Sequence, residues 1–324
     1  MSLLSSIFPP LSYKRNKALY YFNRWLEGLP AIRSADWIIR HYKKGCTAEE
    51  WKVMEKRRDF YCQLETRFAL SENAKSLQEL ASERHSKVYF FDTRRYLRHF
   101  SSATKIDYLF GDIRHVEAFP TIQKSRPVGE QNGVLLKLNE VRHFNFIKDP
   151  YSWKDKKAEA CWRGAVFYGQ ESRVSLMQNH HKDPSMNIGK TNDGDTPKEW
   201  KQERMSIPEQ LKYRYLLCPE GNDVATNLKW VMSSNSVAVM PKPKFETWFM
   251  EGTLKAGVHY IEVKADWSDL KEQIAFFESH PEKAMEIVQN ANAFAATFKN
   301  RKREFVLGLM VLDKYLTLAG GKRF

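Results

Sequence analysis

The chain predicts an α/β protein of two domains, and three observations carry that expectation. Lys212-Tyr-Arg-Tyr-Leu-Leu217 is an aromatic and aliphatic strand pattern that passes through the turn Glu220-Gly221-Asn222-Asp223 into a helical pattern, with Val224, Ala225, Leu228 and Val231 inside. The apolar run Ser236-Val-Ala-Val-Met240 comes next, as a buried parallel strand would. The third is length, since 324 residues can bury two cores of ordinary domain size.

The elements follow in order. Leu3, Leu4, Ile7 and Phe8 are apolar, but Pro9-Pro10 ends the run far short of a membrane span. No small-residue cleavage site follows, so no secretion signal is expected. Residues 13–44 then mix Tyr20, Tyr21, Phe22, Trp25, Leu26, Trp37, Ile38 and Ile39 with Lys14, Arg15, Lys17, Arg24, Arg33, Arg40, Lys43 and Lys44. Such a segment either lies at a membrane interface with its cations toward lipid phosphates, or packs its aromatics on the protein body with the cations solvated. Residues 87–91 read as a strand, 94–100 as a short helix, and 105–110 as a second strand ending at Gly111-Asp112. Pro241 and Pro243 close the strand after the central helix, and Phe245-Glu246-Thr-Trp248-Phe249 forms an aromatic loop. Residues 257–263 are a further strand, and Asp266-Trp267-Ser268-Asp269-Leu270 opens a helix with Ser268 as its cap. Pro281 starts a helix with Ala284, Met285, Ile287, Val288 and Ala291 at core-facing spacing, 305–318 is another, and 320–324 is a frayed tail.

Composition narrows the function. With 42% hydrophobic and 13% aromatic residues the chain is not disordered. The net charge of +13 is spread along the chain, without a helix-turn-helix spacing, a zinc finger or an aromatic RNA-binding signature. Nucleic acid is therefore not the expected partner; an anionic substrate or membrane face accounts for the charge. Cys46, Cys62, Cys161 and Cys218 have no CxxC spacing, which points away from a disulfide framework or zinc site and toward a reduced cytosolic compartment. His143, His180 and His181 lack metal-ligand spacing, and His259 reads as a packed strand residue.

Several residues carry candidate chemistry. A strand that turns through glycine into a helix leaves backbone N–H groups free, and with the helix dipole these can seat a phosphate. Asp223 would cap that helix and Lys229 add a charge further along, although an ordinary capped helix has the same pattern. In Trp162-Arg163-Gly164, the guanidinium fork suits a diphosphate and the glycine permits close backbone approach. Asp112 stands in the turn after a buried strand, where ligands of α/β sheets gather; it would otherwise cap the next turn. Asp107 is the fallback carboxylate, though inside a strand it would face a sheet surface. Asp193-Gly194-Asp195 has the form of a metal-holding D-x-D, but among turn formers with no hydrophobic strand before it the motif reads as a solvated loop.

In sequence order, Trp162-Arg163-Gly164, Arg173, 212–217, Glu220-Gly221-Asn222, 229–239, Trp248-Phe249 and 258–270 resemble the nucleotide-sugar domain of glycosyltransferase family 90. The similarity spans residues 105–275 and is greater to the bacterial branch, which builds capsule and lipooligosaccharide, than to the protein O-glucosyltransferases and O-xylosyltransferases. The resemblance implies a GT-B fold of two Rossmann-like domains, with 1–150 on the acceptor side, 151–280 binding the donor, and C-terminal helices in 281–324 that cross back. It implies an inverting, metal-independent transfer of a hexose from a UDP-sugar to a core sugar of lipopolysaccharide or lipooligosaccharide, at the cytoplasmic face of the inner membrane. No cofactor is expected. Gly111-Asp112-Ile-Arg114 with Lys124-Ser125-Arg126 matches the segment that holds the family's catalytic carboxylate, which makes Asp112 the general base. Arg163, Arg173, Lys229 and the 221–224 amides would stabilise the leaving diphosphate, with Gly164, Lys212, Glu220, Gly221, Asn222, Asp223 and Asn227 completing the donor site. Asn227 departs from the family, since many members carry an Arg there, and Ala225 replaces a common Ser; Lys229, Lys212 or Arg173 would then take over the charge. That departure keeps a second class open, a non-catalytic basic protein that binds carbohydrate or nucleic acid on the same fold.

Overall fold

The computed structural model describes residues 20–22, 31–83 and 87–320. The apolar start, the basic aromatic residues at 13–19 and 23–30, and the tail 321–324 lie outside the described residues. Helix α1 (Ala35–Lys43) starts at Ser34, whose hydroxyl accepts from the Trp37 amide. Helix α2 (Ala48–Tyr61) starts at a reciprocal Thr47–Glu50 capping box. Strand β1 (Lys75–Ser76), helix α3 (Leu77–Ser82) and helix α4 (Lys87–Leu97) follow. The strand expected at 87–91 is thus the first half of α4. Tyr89, Asp92, Thr93, Tyr96 and Leu97 are its buried positions, a helical period that continues past the five residues judged apolar.

The expected 105–110 strand is divided into β2 (Lys105–Ile106), antiparallel to β1, and β3 (Tyr108–Leu109). The break is Asp107, whose N–H donates to the Tyr315 hydroxyl at 3.1 Å while its carboxylate accepts from Ser71. Strands β4 (Thr121–Gln123), β5 (Ser125–Pro127) and β6 (Gly133–Leu135) come next, then helix α5 (Glu140–His143). β3, β4 and β6 form a three-stranded parallel sheet.

The second sheet is built from β7 (Lys157–Gly164), β8 (Met186–Lys190), β9 (Tyr213–Leu217), β10 (Val237–Met240) and β12 (Ile261–Glu262). Helix α6 (Glu171–His180) lies between β7 and β8, α7 (Ile207–Gln210) before β9, α8 (Leu228–Val231) before β10, and strand β11 (Phe245–Thr247) before β12. The spatial order is β12-β10-β9-β7-β8, all parallel. Counted along the chain this is a doubly wound order whose direction reverses between β7 and β9, the place where open α/β sheets bind ligands. Two Rossmann-like sheets were expected; the described residues form one five-stranded and one three-stranded parallel sheet.

Two helix starts move from their expected places. α8 begins at Leu228 rather than Val224, because 224–227 form a turn in which Asn227 occupies the cap position. Helix α9 (Leu270–Ser279) is capped at Asp269 rather than Ser268. Helix α10 (Pro281–Ala296) forms with Ala284, Ile287 and Ala291 buried but Met285 exposed, and α11 (Arg301–Leu318) starts four residues before its expected place and packs back on α1, α2 and α4.

Buried ion pairs hold distant segments together. β5 pairs antiparallel with β11, carrying the buried Arg126–Glu246 ion pair. Arg57 of α2 makes a bidentate pair with Glu304 of α11 at 2.6 and 2.9 Å, and Glu304 also accepts from Trp248 Nε1 at 2.6 Å. Tyr61 stacks on the Trp248 ring and donates to its carbonyl oxygen at 2.8 Å. Glu304→Gln leaves the Arg57 charge buried without its counter-ion, so the expected loss is about 3–5 kcal/mol. Urea unfolding should show this as a lower midpoint with an unchanged slope.

Candidate functional site

The loops at the carboxyl ends of β3 and β9, one strand from each parallel sheet, meet at one place, the candidate cleft. β3 delivers Gly111-Asp112 to it, and Gly111 has φ +140°, a value that favours glycine. Lys124, between β4 and β5, donates to Asp112 Oδ1 and lies 2.6 Å from Asp223 Oδ2. Asp223 also accepts from Ser125 Oγ at 2.7 Å. Burial works to raise the Asp112 pKa, but the Lys124 ammonium, then Arg142 and Arg173, outweigh it and hold the carboxyl below its ordinary range. The Asp112 side chain remains 26% exposed, so an ionised oxygen is open to the cleft.

On the opposite wall the β7/β9 reversal brings Arg173 of α6 against the 220–223 turn. Arg173 donates to the Ala165 carbonyl at 2.8 Å, lies over the Trp162 ring, and keeps a buried Nε without a partner among the described residues. Burial and then the neighbouring Arg142 pull its pKa down to about 10. Gly221 lets the guanidinium lie close to the turn, since a Cβ would stand 2.6 Å from Arg173 Nη2 and displace it. The turn is held by Arg114, which donates to the Asn222 carbonyl at 2.6 Å, and by Gln170, which donates to Asn222 Oδ1 at 2.9 Å. Beside it opens a cavity of about 560 Å³ at the ends of β9, β10 and β12, lined by Arg114, Gly169, Ser172, Glu220, Gly221, Lys242, Lys244 and Asp266 among others.

Of the residues expected at the site, Asp112, Arg173, Glu220, Gly221, Asn222 and Asp223 come together. Asp223 is there as a buried partner of Lys124 and Ser125, not as a helix cap. Five others have different work. Arg163 donates to the carbonyls of Glu203, Trp162 and Asn187 and to Asn187 Oδ1, which occupies its fork in lacing β7 to its neighbours. Gly164 is shaped by packing, since a Cβ would meet the Trp162 ring at 2.5 Å. Lys229 is fully buried against Glu251. Lys212 is exposed just before β9, at the amino end of the sheet and away from the cleft. Asn227 donates to the Leu217 carbonyl at 2.9 Å and holds the turn against β9. With α8 starting at Leu228, the 221–224 amides do not open a helix.

The fallback Asp107 is committed to Ser71 and carries no open carboxylate. The D-x-D does follow a strand, β8, contrary to expectation, but Asp193 is 89% exposed and paired with Lys201, so its carboxylate faces solvent. His180 and His181 hydrogen-bond to the carbonyls of Trp267 and Met177, and His259 Nδ1 accepts from the Lys255 amide. Sequence reasoning missed Arg142 and Gln170, and it named Lys124 without a role of its own. Lys124-Ser125-Arg126 was visible as three polar residues after the apolar Ile122, yet nothing local says that such a run is buried.

The sequence profile described as Glycosyl transferase family 90 matches residues 137–319. The O-glucosyltransferase LpsA of Dichelobacter nodosus is 40% identical over 273 residues, 84% of this chain and 85% of that protein. The chain belongs to glycosyltransferase family 90. It is therefore a glycosyltransferase, and the non-catalytic reading left open by Asn227 is set aside. Human protein O-glucosyltransferase 3 is similar over a shorter stretch, 26% identical over 170 residues, which is 51% of this chain and 33% of the human protein. Asp112 and Lys124 lie upstream of the matched profile.

Glu220 gives the transferase a pH-sensitive wall. Its Oε1 accepts from the Lys244 and Phe245 amides at 3.0 and 3.2 Å, yet burial dominates and pushes its pKa from 4.5 to about 7. A carboxyl whose folded pKa lies above its unfolded one contributes stability below the unfolded pKa and loses it as pH rises through the folded value. Wild-type stability should fall between pH 4.5 and about 7, and Glu220→Gln should flatten that fall in denaturation curves.

Proposed function

We propose that this transferase moves a hexose from a UDP-sugar to a sugar hydroxyl of the lipopolysaccharide or lipooligosaccharide core with inversion, on a GT-B arrangement of acceptor side 1–150 and donor side 151–280. The observation that carries this reading is the pairing across one cleft of an ionised, accessible carboxylate, Asp112, with the guanidinium of Arg173 against the 220–223 turn. The O-glucosyltransferase relative supports glucose as the hexose.

In this mechanism Asp112 takes the proton of the acceptor hydroxyl as its oxygen bonds to the anomeric carbon. The bond from that carbon to the β-phosphate oxygen breaks on the opposite face, and UDP leaves with the electron pair. Arg173 and Arg114 lie against the turn, Arg142 stands beside Asp112, and Lys242 and Lys244 line the cavity where the nucleotide would lie. Fixed cations in these positions favour charge neutralisation without a metal. Ile32 and Trp37, exposed beside Arg33, Arg40, Lys43 and Lys44, support peripheral contact with an anionic membrane face. Among the described residues no helix is long and apolar enough to cross a membrane.

The deciding experiment is UDP release from a panel of UDP-sugars with and without truncated core oligosaccharide. Acceptor-dependent release that survives EDTA is expected; loss on chelation would reject the metal-independent step. Asp112→Asn should lower turnover by about 10²–10⁴-fold while UDP binding is kept. Transfer retained by that variant would remove Asp112 from the role of base.

A further inference from the structure

We propose that Lys124 is the positioning residue of the transfer, a single ammonium that aims Asp112 and ties it to the donor-side turn through Asp223. This rests on the reading of Asp112 as the base. Lys124 is 1% exposed, and its Nζ contacts one carboxylate from each half of the molecule. Asp112 comes from the loop after β3 in the smaller sheet, Asp223 from the loop after β9 in the larger. The two acids are not equivalent. The Asp223 side chain is 5% exposed and doubly held, by Lys124 and by Ser125 Oγ, so it serves as the anchor. Asp112 is bound to Lys124 through Oδ1, and its Oδ2 stands 4.0 Å from Arg142 on the open side. The lysine therefore fixes the rotation of the carboxylate and leaves one oxygen for the acceptor proton.

Charged and titratable groups face this pair from every side. Tyr89 of α4, Arg142 and His143 of α5, and Arg173 of α6 all interact with Asp112 or Lys124. Arg142 is a weak substitute because its side chain is 57% exposed and its contact with Asp112 is long. Arg173 donates to the Ala165 carbonyl and acts on Asp112 only through space. Lys124 is the buried cation in direct contact with the carboxylate. Without it, the burial that favours a neutral acid is opposed only by Arg142 and Arg173, and the carboxyl protonates at higher pH.

The test is the pH dependence of kcat in Lys124→Met and Lys124→Arg, with Asp112→Asn in parallel. Each variant is checked for its thermal unfolding midpoint and for UDP binding. K124M should bind UDP within about threefold of wild type, lose kcat by about tenfold or more, and show its acid limb at higher pH. K124R keeps the charge and should return the limb toward wild type with part of the rate. A folded K124M with wild-type kcat and acid limb would overturn the proposal, as would equal loss in K124M and K124R with no movement of the limb. If K124M does not fold, Lys124→Gln, which retains a donor without the charge, is read in the same way. Transfer retained by D112N overturns the base assignment and this proposal with it. Transfer lost in D112N beside an unmoved limb in K124M overturns the lysine's role alone.

Discussion

Arg126 is buried completely, and the position of its guanidinium sets both walls of the cleft. It donates to Glu246 at 2.8 Å, to the Gly133 carbonyl at 2.9 Å and to the Phe60 carbonyl at 2.7 Å. A guanidinium has a rigid fork of five N–H donors, and removed from water it must find protein acceptors at those angles. One side chain thus fixes the end of α2, strand β6 and strand β11 relative to each other. Burial pulls its pKa below the ordinary range while Glu246 opposes, so the ion pair is what keeps the charge tolerable. With β5 held in register against β11, the preceding Lys124 and Ser125 arrive at Asp112 and Asp223.

Two groups of cations have different consequences. Arg57, Arg126, Lys156 and Lys229 are buried against Glu304, Glu246, Asp149 and Glu251, and they specify which elements meet. Such pairs add little net stability over an apolar contact but are costly to break singly. Arg114, Arg142, Arg173, Lys242 and Lys244 gather instead around the turn and its cavity. Concentrated in a concave site, their field acts on an anionic ligand far more than the same charges spread over a surface. The same residue types therefore supply the scaffold and the site, and only burial and partners separate them.

What the amino-acid sequence determined by itself was three strands of the larger sheet and the family. The strand–turn–helix at 212–231, the strands after it and the C-terminal helices are short-range patterns, each decided by local apolar spacing and turn residues. Asp112 was legible because a carboxylate in a turn after a strand is defined locally. The tertiary structure alone decided which cations serve the cleft. Arg163 and Lys229 looked suitable by residue type, but β8 and the loop carrying Glu251 reach them first. Lys124 stood in the family-like segment without a role of its own until β5 paired with a strand more than a hundred residues away. A charged side chain's role depends on what lies within a few ångströms of its tip, and for a long side chain in this fold those neighbours come from distant segments. Sequence patterns report neighbours along the chain; the ion pairs that build this site are made across it.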